Sequence, residues 1–471
     1  MTGGEAPEPP RLRRELGALD FTLLVIGAVV GADVYIVAAL GAAYLGPAQL
    51  VAWLAAGVLA ALIALAFVQC AAICPEVGGA YAYAHAAFGP LVGFLTGWAL
   101  YAAEWVALPI FPLSFVNYLG YFFADLPSWA GSLVKLLLIV AVTGVNLLGV
   151  RAGGRTNDVL TIAKLVPLGL LILAGLVFAA LRPEVAAAHL QPFAPLGWSG
   201  FGAALVLIFW AYGGFELAVL PAGEVIDPQR TMPRGLVAGM AIATIVYLLT
   251  GFAVVVALPW QTAAASPRSL ADALGSILTG LGLSPAVGFV LMSLGGLLAI
   301  ASSPEVFTLT LARLSYAMAR DELWPLAFAR VHQRFGTPYL GLLFQAASAP
   351  LVALVFDLTD LLASAVFFLG IRYAVTALAA LRLMAQAPEQ RLHLPGLRGA
   401  LVLAALGGVY LSLQVPPRLI GIGAAVMAVG LGLFVWGGGR WQSRAPWSGE
   451  QPVPPWAHRG ERWLLYLLRR S

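Results

Sequence analysis

Ile26-Gly27-Ala28-Val29-Val30-Gly31-Ala32-Asp33 sits inside an apolar run that extends from Phe21 to about Leu45. About 20 apolar residues in a helix cross a bilayer, so the run is long enough to span. Its centre is wrong for a plain span, because it holds two glycines and an acid. A charged side chain at mid-membrane costs about 2.5–3.5 kcal/mol on insertion scales, so it faces a cavity, a partner or a substrate. A second apolar run carries the same combination at Tyr212-Gly213-Gly214-Phe215-Glu216. Broken helices free backbone N–H and C=O groups at mid-membrane, and matching breaks in two halves of a chain point to a transport site. Taken alone, Gly27 and Gly31 also read as a GxxxG helix-packing face.

The rest of the chain fits a membrane setting. Its 471 residues are 61% hydrophobic and 10% charged, against about 25% charge in soluble domains. Mean hydropathy is +0.90. The apolar runs are unbroken rather than alternating, which demands helices and excludes a barrel. Twelve spans are predicted at about 21–45, 48–73, 90–119, 130–150, 157–181, 199–221, 234–258, 283–312, 338–356, 359–384, 398–414 and 418–437. The expected fold class is all-α and integral to the membrane. The first run is too long for the apolar core of a signal peptide and reads as span 1.

The organisation follows from the spans. Residues 1–20 form an N-terminal tail, Pro-rich and charged over 1–15, and 21–439 the transmembrane domain. Within it, about 21–181 and 199–384 are two halves of five spans each and opposite orientation, and about 398–437 holds two extra helices. Residues 440–471 form a C-terminal tail, where Trp463 to Leu468 between arginines reads as an interfacial amphipathic helix. With the N-terminus inside, the outer loops hold only Arg182, Arg268 and Arg418, and every other loop arginine falls inside. That bias places both tails in the cytoplasm, and the expected location is the plasma membrane. The pI near 9.1 thus reflects orientation rather than nucleic-acid binding.

Four acids lie deep in the spans: Asp33, Glu104, Glu216 and Glu305. Against them stands Lys164; the other lysine, Lys135, is near a span end and can snorkel. The count leaves a net three negative charges inside the membrane, which suits a cationic cargo. Glu305 follows Pro304, which removes a helix hydrogen bond; it reads as a cation or substrate ligand, or as a salt-bridge partner of Lys164. Glu216 reads either as a proton carrier or as a cap on the second half of a broken helix. Arg372 reads as a gate or helix-pairing residue. The five histidines all fall in predicted loops without metal-ligand spacing, and Cys70 and Cys74 read as structural. No cofactor is expected. The absence of His-Glu-x-x-His and Gly-x-Ser-x-Gly argues against an intramembrane enzyme, and short tails against a transport-free sensor.

Four motifs in order resemble the amino acid–polyamine–organocation transporters, over nearly the whole chain. They are Ile26 to Ile36 in span 1, Pro75-Glu76-Val77-Gly78-Gly79-Ala80-Tyr81 after span 2, Phe209 to Glu216 with the exit loop Gly223 to Pro233, and Arg313 to Pro325 after span 8. The resemblance implies a five-plus-five inverted-repeat, LeuT-like fold with helices 1 and 6 broken, and alternating access. It implies a substrate site at Gly27, Gly31, Ala32 and Asp33 on span 1 and Trp210, Gly213 and Gly214 on span 6. Tyr101 and Glu104 on span 3 and Glu305 on span 8 stand alongside. Glu104 matches a pocket-lining position in arginine–agmatine exchangers, and is either a ligand for a substrate ammonium or a structural hydrogen-bonding group. Trp210 matches the aromatic that stacks on substrate there. Tyr35, Tyr101 and Phe215 could complete an aromatic box or be core. Lys164 resembles the lysine that takes the place of sodium in proton-coupled members, which makes Lys164 and Glu216 the coupling candidates.

One departure stands out. The family resembled usually has Gly or another small residue where Asp33 stands, and in its amino acid carriers the backbone amides of that turn bind the substrate carboxylate. Either Asp33 points elsewhere or the substrate lacks a carboxylate. The expected function is secondary transport of a cationic amine such as a polyamine, proton-coupled or exchanging. The alternative is a proton-coupled amino acid permease of the same fold. The partners expected are that small solute, protons and the lipid bilayer.

Overall fold

The computed structural model describes residues 16–74, 79–123, 126–148, 153–219, 225–320 and 324–437, with the backbone alone for 153–164, 228, 306, 436 and 437. The loop motif at Pro75 to Gly78, the exit residues Gly223 and Glu224, residues 321–323 and the C-terminal amphipathic stretch lie outside the described residues. So does the side chain of Lys164.

Helices in chain order are α1 (Ala18–Val29), α2 (Asp33–Val37), α3 (Ala42–Leu45), α4 (Gln49–Ile73), α5 (Gly79–Phe88), α6 (Pro90–Ala107), α7 (Ile110–Leu119), α8 (Ser128–Leu148), α9 (Gly153–Leu181) and α10 (Pro183–His189). They continue as α11 (Phe201–Phe209), α12 (Phe215–Ala218), α13 (Pro228–Ala257), α14 (Trp260–Ala265), α15 (Ser269–Gly280), α16 (Pro285–Arg320), α17 (Tyr339–Val352), α18 (Leu358–Gln386), α19 (Leu397–Leu413) and α20 (Pro417–Gly437). Among the described residues no strand forms, and an isolated bridge joins Leu16 to Val225.

Eight described helical runs are long and apolar enough to cross a membrane, and the pair Leu165–Leu181 and Pro183–His189, bent by 108°, adds a ninth if counted as one span. Ala18–Val29, Tyr339–Val352 and Leu397–Leu413 are shorter apolar helices, and they fall at predicted spans 1, 9 and 11. Apolar side chains cover the outside as well as the core. Leu137 and Val140 of α8 are each 57% exposed, a surface that lipid rather than water must cover. The chain is thus a multi-pass membrane protein.

The core is packed through small residues. α18 and α19 approach until a Cβ added at Gly408 would lie 2.6 Å from the Gly370 carbonyl oxygen. Lipid gives helices no hydrophobic drive to associate, so such backbone proximity supplies the packing energy instead. Two predicted loop histidines turn out helical: His85 lies in α5 and His189 ends α10.

Candidate functional site

Both predicted breaks are present. α1 ends at Val29, Val30 is extended, and α2 opens at Asp33. The break therefore lies at 30–32, and Gly27 sits inside α1. A Cβ at Gly27 would meet nothing within 4 Å, so that glycine does not serve a GxxxG packing face. In the second break, a 3-10 turn over Trp210–Tyr212 gives way to Gly213 and Gly214 before α12. Gly214 has φ +104°, and a Cβ there would lie 2.2 Å from the Ala28 carbonyl oxygen. Only glycine tolerates both the dihedral and the approach, and at this point the two broken helices touch.

The breaks leave carbonyls without helical partners. Tyr247 of α13 answers two of them: its hydroxyl lies 2.8 Å from the Val29 oxygen and 2.9 Å from the Ala211 oxygen. One buried hydroxyl hydrogen is thus shared between the two interruptions. Tyr118 of α7 donates to the Tyr35 carbonyl at 2.8 Å, and Tyr212 to that of Trp53 at 2.8 Å.

The acids occupy this region unequally. Asp33 Oδ1 accepts a hydrogen bond from Trp210 Nε1–H at 3.1 Å. The Trp210 ring lies 6.0 Å from that of Phe307 on α16. Glu216 Oε2 accepts the Gly214 backbone N–H at 3.0 Å, which caps the break. Its Oε1 pairs with the Arg372 guanidinium and accepts from the Tyr373 hydroxyl at 3.1 Å. One carboxylate thereby fastens α12 and the second break to α18. Glu104 of α6 is half-buried, and the charges acting on it are those of Arg372, Glu216 and Asp33. Among the described residues its carboxylate meets no hydrogen-bond donor.

Glu305 lies on α16, two positions before the Phe307 that faces Trp210, and its backbone carbonyl is 3.5 Å from Asn146 Nδ2 of α8. Ala32 is buried at the first break, while Gly31 and Gly213 are half-buried beside it. Tyr101 turns onto Trp324 at 4.8 Å and Trp98 at 6.5 Å between ring centroids, one turn before Glu104. Phe215 packs on Phe67 and Tyr373, and Tyr35 on Tyr118, so both are core. A small cavity of about 30 Å³ lies elsewhere, between α7, α8, α16 and α17.

Sequence reasoning missed the Arg372–Glu216 pair and the Tyr247 strap. Arg372 carries a signal, as an arginine deep in a span, and it belongs in the charge balance. Counting it reduces the interior excess from three negative charges to two.

Interrupted apolar helices that meet at their breaks, with carboxylates around them, define a membrane transporter rather than an enzyme. The sequence matches the amino acid permease family over residues 16–447, and the chain belongs to that family. It is similar to the methylthioribose transporter of Bacillus subtilis (strain 168), at 29% identity over 70% of this chain and 72% of the relative. The serine/threonine exchanger SteT of the same bacterium is 28% identical over 81% of this chain and 85% of its own length. Cationic amino acid transporter 4 of Mus musculus is 30% identical over 80% of this chain and 61% of that longer protein.

Proposed function

We propose that the chain is a secondary transporter of small organic cations of the amine class, working by alternating access. The observation that carries the reading is Glu104, a half-buried carboxylate without a donor among the described residues. An acid so placed is costly in a membrane unless a cation completes it. A substrate ammonium or guanidinium supplies that charge and the missing donor, and a desolvated cation that also reaches the Trp210 ring gains about 2 kcal/mol of cation–π attraction. We place the protein in the plasma membrane with twelve spans in a five-plus-five repeat and both tails cytoplasmic. Proton coupling we assign to Lys164. The bonds of Glu216 to Gly214 and Arg372 favour the capping role over the proton-carrying one.

A second reading, transport of amino acids with a free carboxylate, is favoured by one bond. Asp33 is turned toward Trp210, which weakens the repulsion that would exclude a carboxylate from the turn. The names of the serine/threonine and cationic amino acid relatives point the same way. Purified protein separates the two readings. Binding of putrescine, spermidine, agmatine, arginine and serine is measured across pH by calorimetry, together with the Glu104→Gln variant. The cationic reading expects the amines and arginine to bind, and Glu104→Gln to weaken them about tenfold or more, the loss of one charge-assisted bond. Binding of serine alone would overturn it.

A further inference from the structure

We infer that Asp33 is a positioning residue for Trp210: its carboxylate fixes the rotation of the indole that walls the site, instead of contacting the substrate itself. The inference rests on the reading above only in taking Trp210 as part of the substrate wall. Asp33 opens α2 directly after the first break, and Trp210 begins the turn directly before the second. Their bond, Nε1–H to Oδ1 at 3.1 Å, therefore joins the two broken helices across 177 positions of sequence. An indole has a single donor and no acceptor, so one well-placed carboxylate oxygen fixes the rotation of its plane.

The rest of the Trp210 environment does not do this alone. The ring is 4% exposed and lies beside Phe307 at 6.0 Å with an interplanar angle of 30°. Apolar packing of that kind confines the ring, whereas the bond at its edge sets which way its N–H points. The backbone around it is held independently by Tyr247, which reaches Val29 and Ala211. Loss of the Asp33 bond should therefore disturb the ring more than the breaks. This assigns a use to the acid that departs from the family's small residue at this turn.

The test turns on the fact that asparagine keeps the acceptor and loses the charge. Uptake of labelled arginine and agmatine into proteoliposomes is compared for Asp33→Asn, Asp33→Leu, Trp210→Phe and the double variant Asp33→Leu/Trp210→Phe. Asp33→Asn should keep KM within about twofold of the parent, and Asp33→Leu should raise KM about tenfold with a smaller effect on kcat. In the Trp210→Phe background, where no indole N–H remains, Asp33→Leu should add nothing. Equal losses in Asp33→Asn and Asp33→Leu, or multiplied losses in the double variant, would overturn the inference and make Asp33 a direct charge partner. If neither compound is carried, the amine reading fails, and the inference is decided without substrate. The fluorescence difference between the parent and Trp210→Phe isolates Trp210, and it should survive Asp33→Asn but shift in Asp33→Leu. An unchanged signal in Asp33→Leu would overturn it.

Discussion

Glu216 and Arg372 show how one ion pair decides the meaning of a buried charge. Their side chains are only 14% and 3% exposed, so each is stranded if the other is lost. Removing one member of such a pair typically costs about 3–5 kcal/mol, while replacing both by apolar groups can be neutral. Glu216→Gln and Arg372→Met should each lower the melting temperature in detergent micelles, and the double variant should melt higher than the Arg372→Met or Glu216→Gln protein. Losses that simply add would show that the two act separately. The pair was illegible in the sequence because its members stand 156 positions apart, and nothing local marks a partner. The acids themselves were legible, since an unbroken apolar context makes any charge conspicuous. That Asp33 and Glu216 act on Glu104 needed the helix packing.

At the scale of elements, the two breaks carry the argument. They were readable because glycine beside an acid is foreign to a spanning helix. Their limits were not, because glycine is tolerated inside a membrane helix, and Gly27 proves to be such a case within α1. The two glycines of the second break also differ in a way that sequence does not show. Gly213 has φ −58°, open to any residue, whereas Gly214 is left-handed and lies against the Ala28 carbonyl. A left-handed non-glycine residue costs about 1–2 kcal/mol before any clash. Gly214→Ala should therefore reduce transport at least about tenfold, through displacement of α12 from α1. Gly213→Ala should stay within about threefold, since a Cβ there meets nothing nearer than the Trp210 oxygen at 3.3 Å. Initial-rate uptake of arginine with matched expression measures both, and equal losses would mean that the close approach at Gly214 is not what shapes the break.

For the whole molecule, the question is how many of its apolar helices cross. Composition alone declared a helical membrane protein, because no soluble core accommodates so few charges over this length. It did not fix the path, since α17 and α19 have 14 and 17 residues, short for a bilayer about 30 Å thick. Their crossing can be checked by the side on which their flanks emerge. If α17, α18 and α19 all cross, Arg334 and His393 share one face and Arg418 lies on the other. All three are exposed, so a cysteine at each is open to reagent. In a background with Cys70 and Cys74 replaced, a membrane-impermeant maleimide should label Arg418→Cys in intact cells. It should label Arg334→Cys and His393→Cys only after permeabilisation, as the loop arginines require. Labelling of Arg334 and His393 from opposite sides would mean that either α17 or α18 fails to cross, and the five-plus-five repeat would fail with it. The two extra helices stand or fall on a separate comparison, that of His393 with Arg418, because only α19 lies between them.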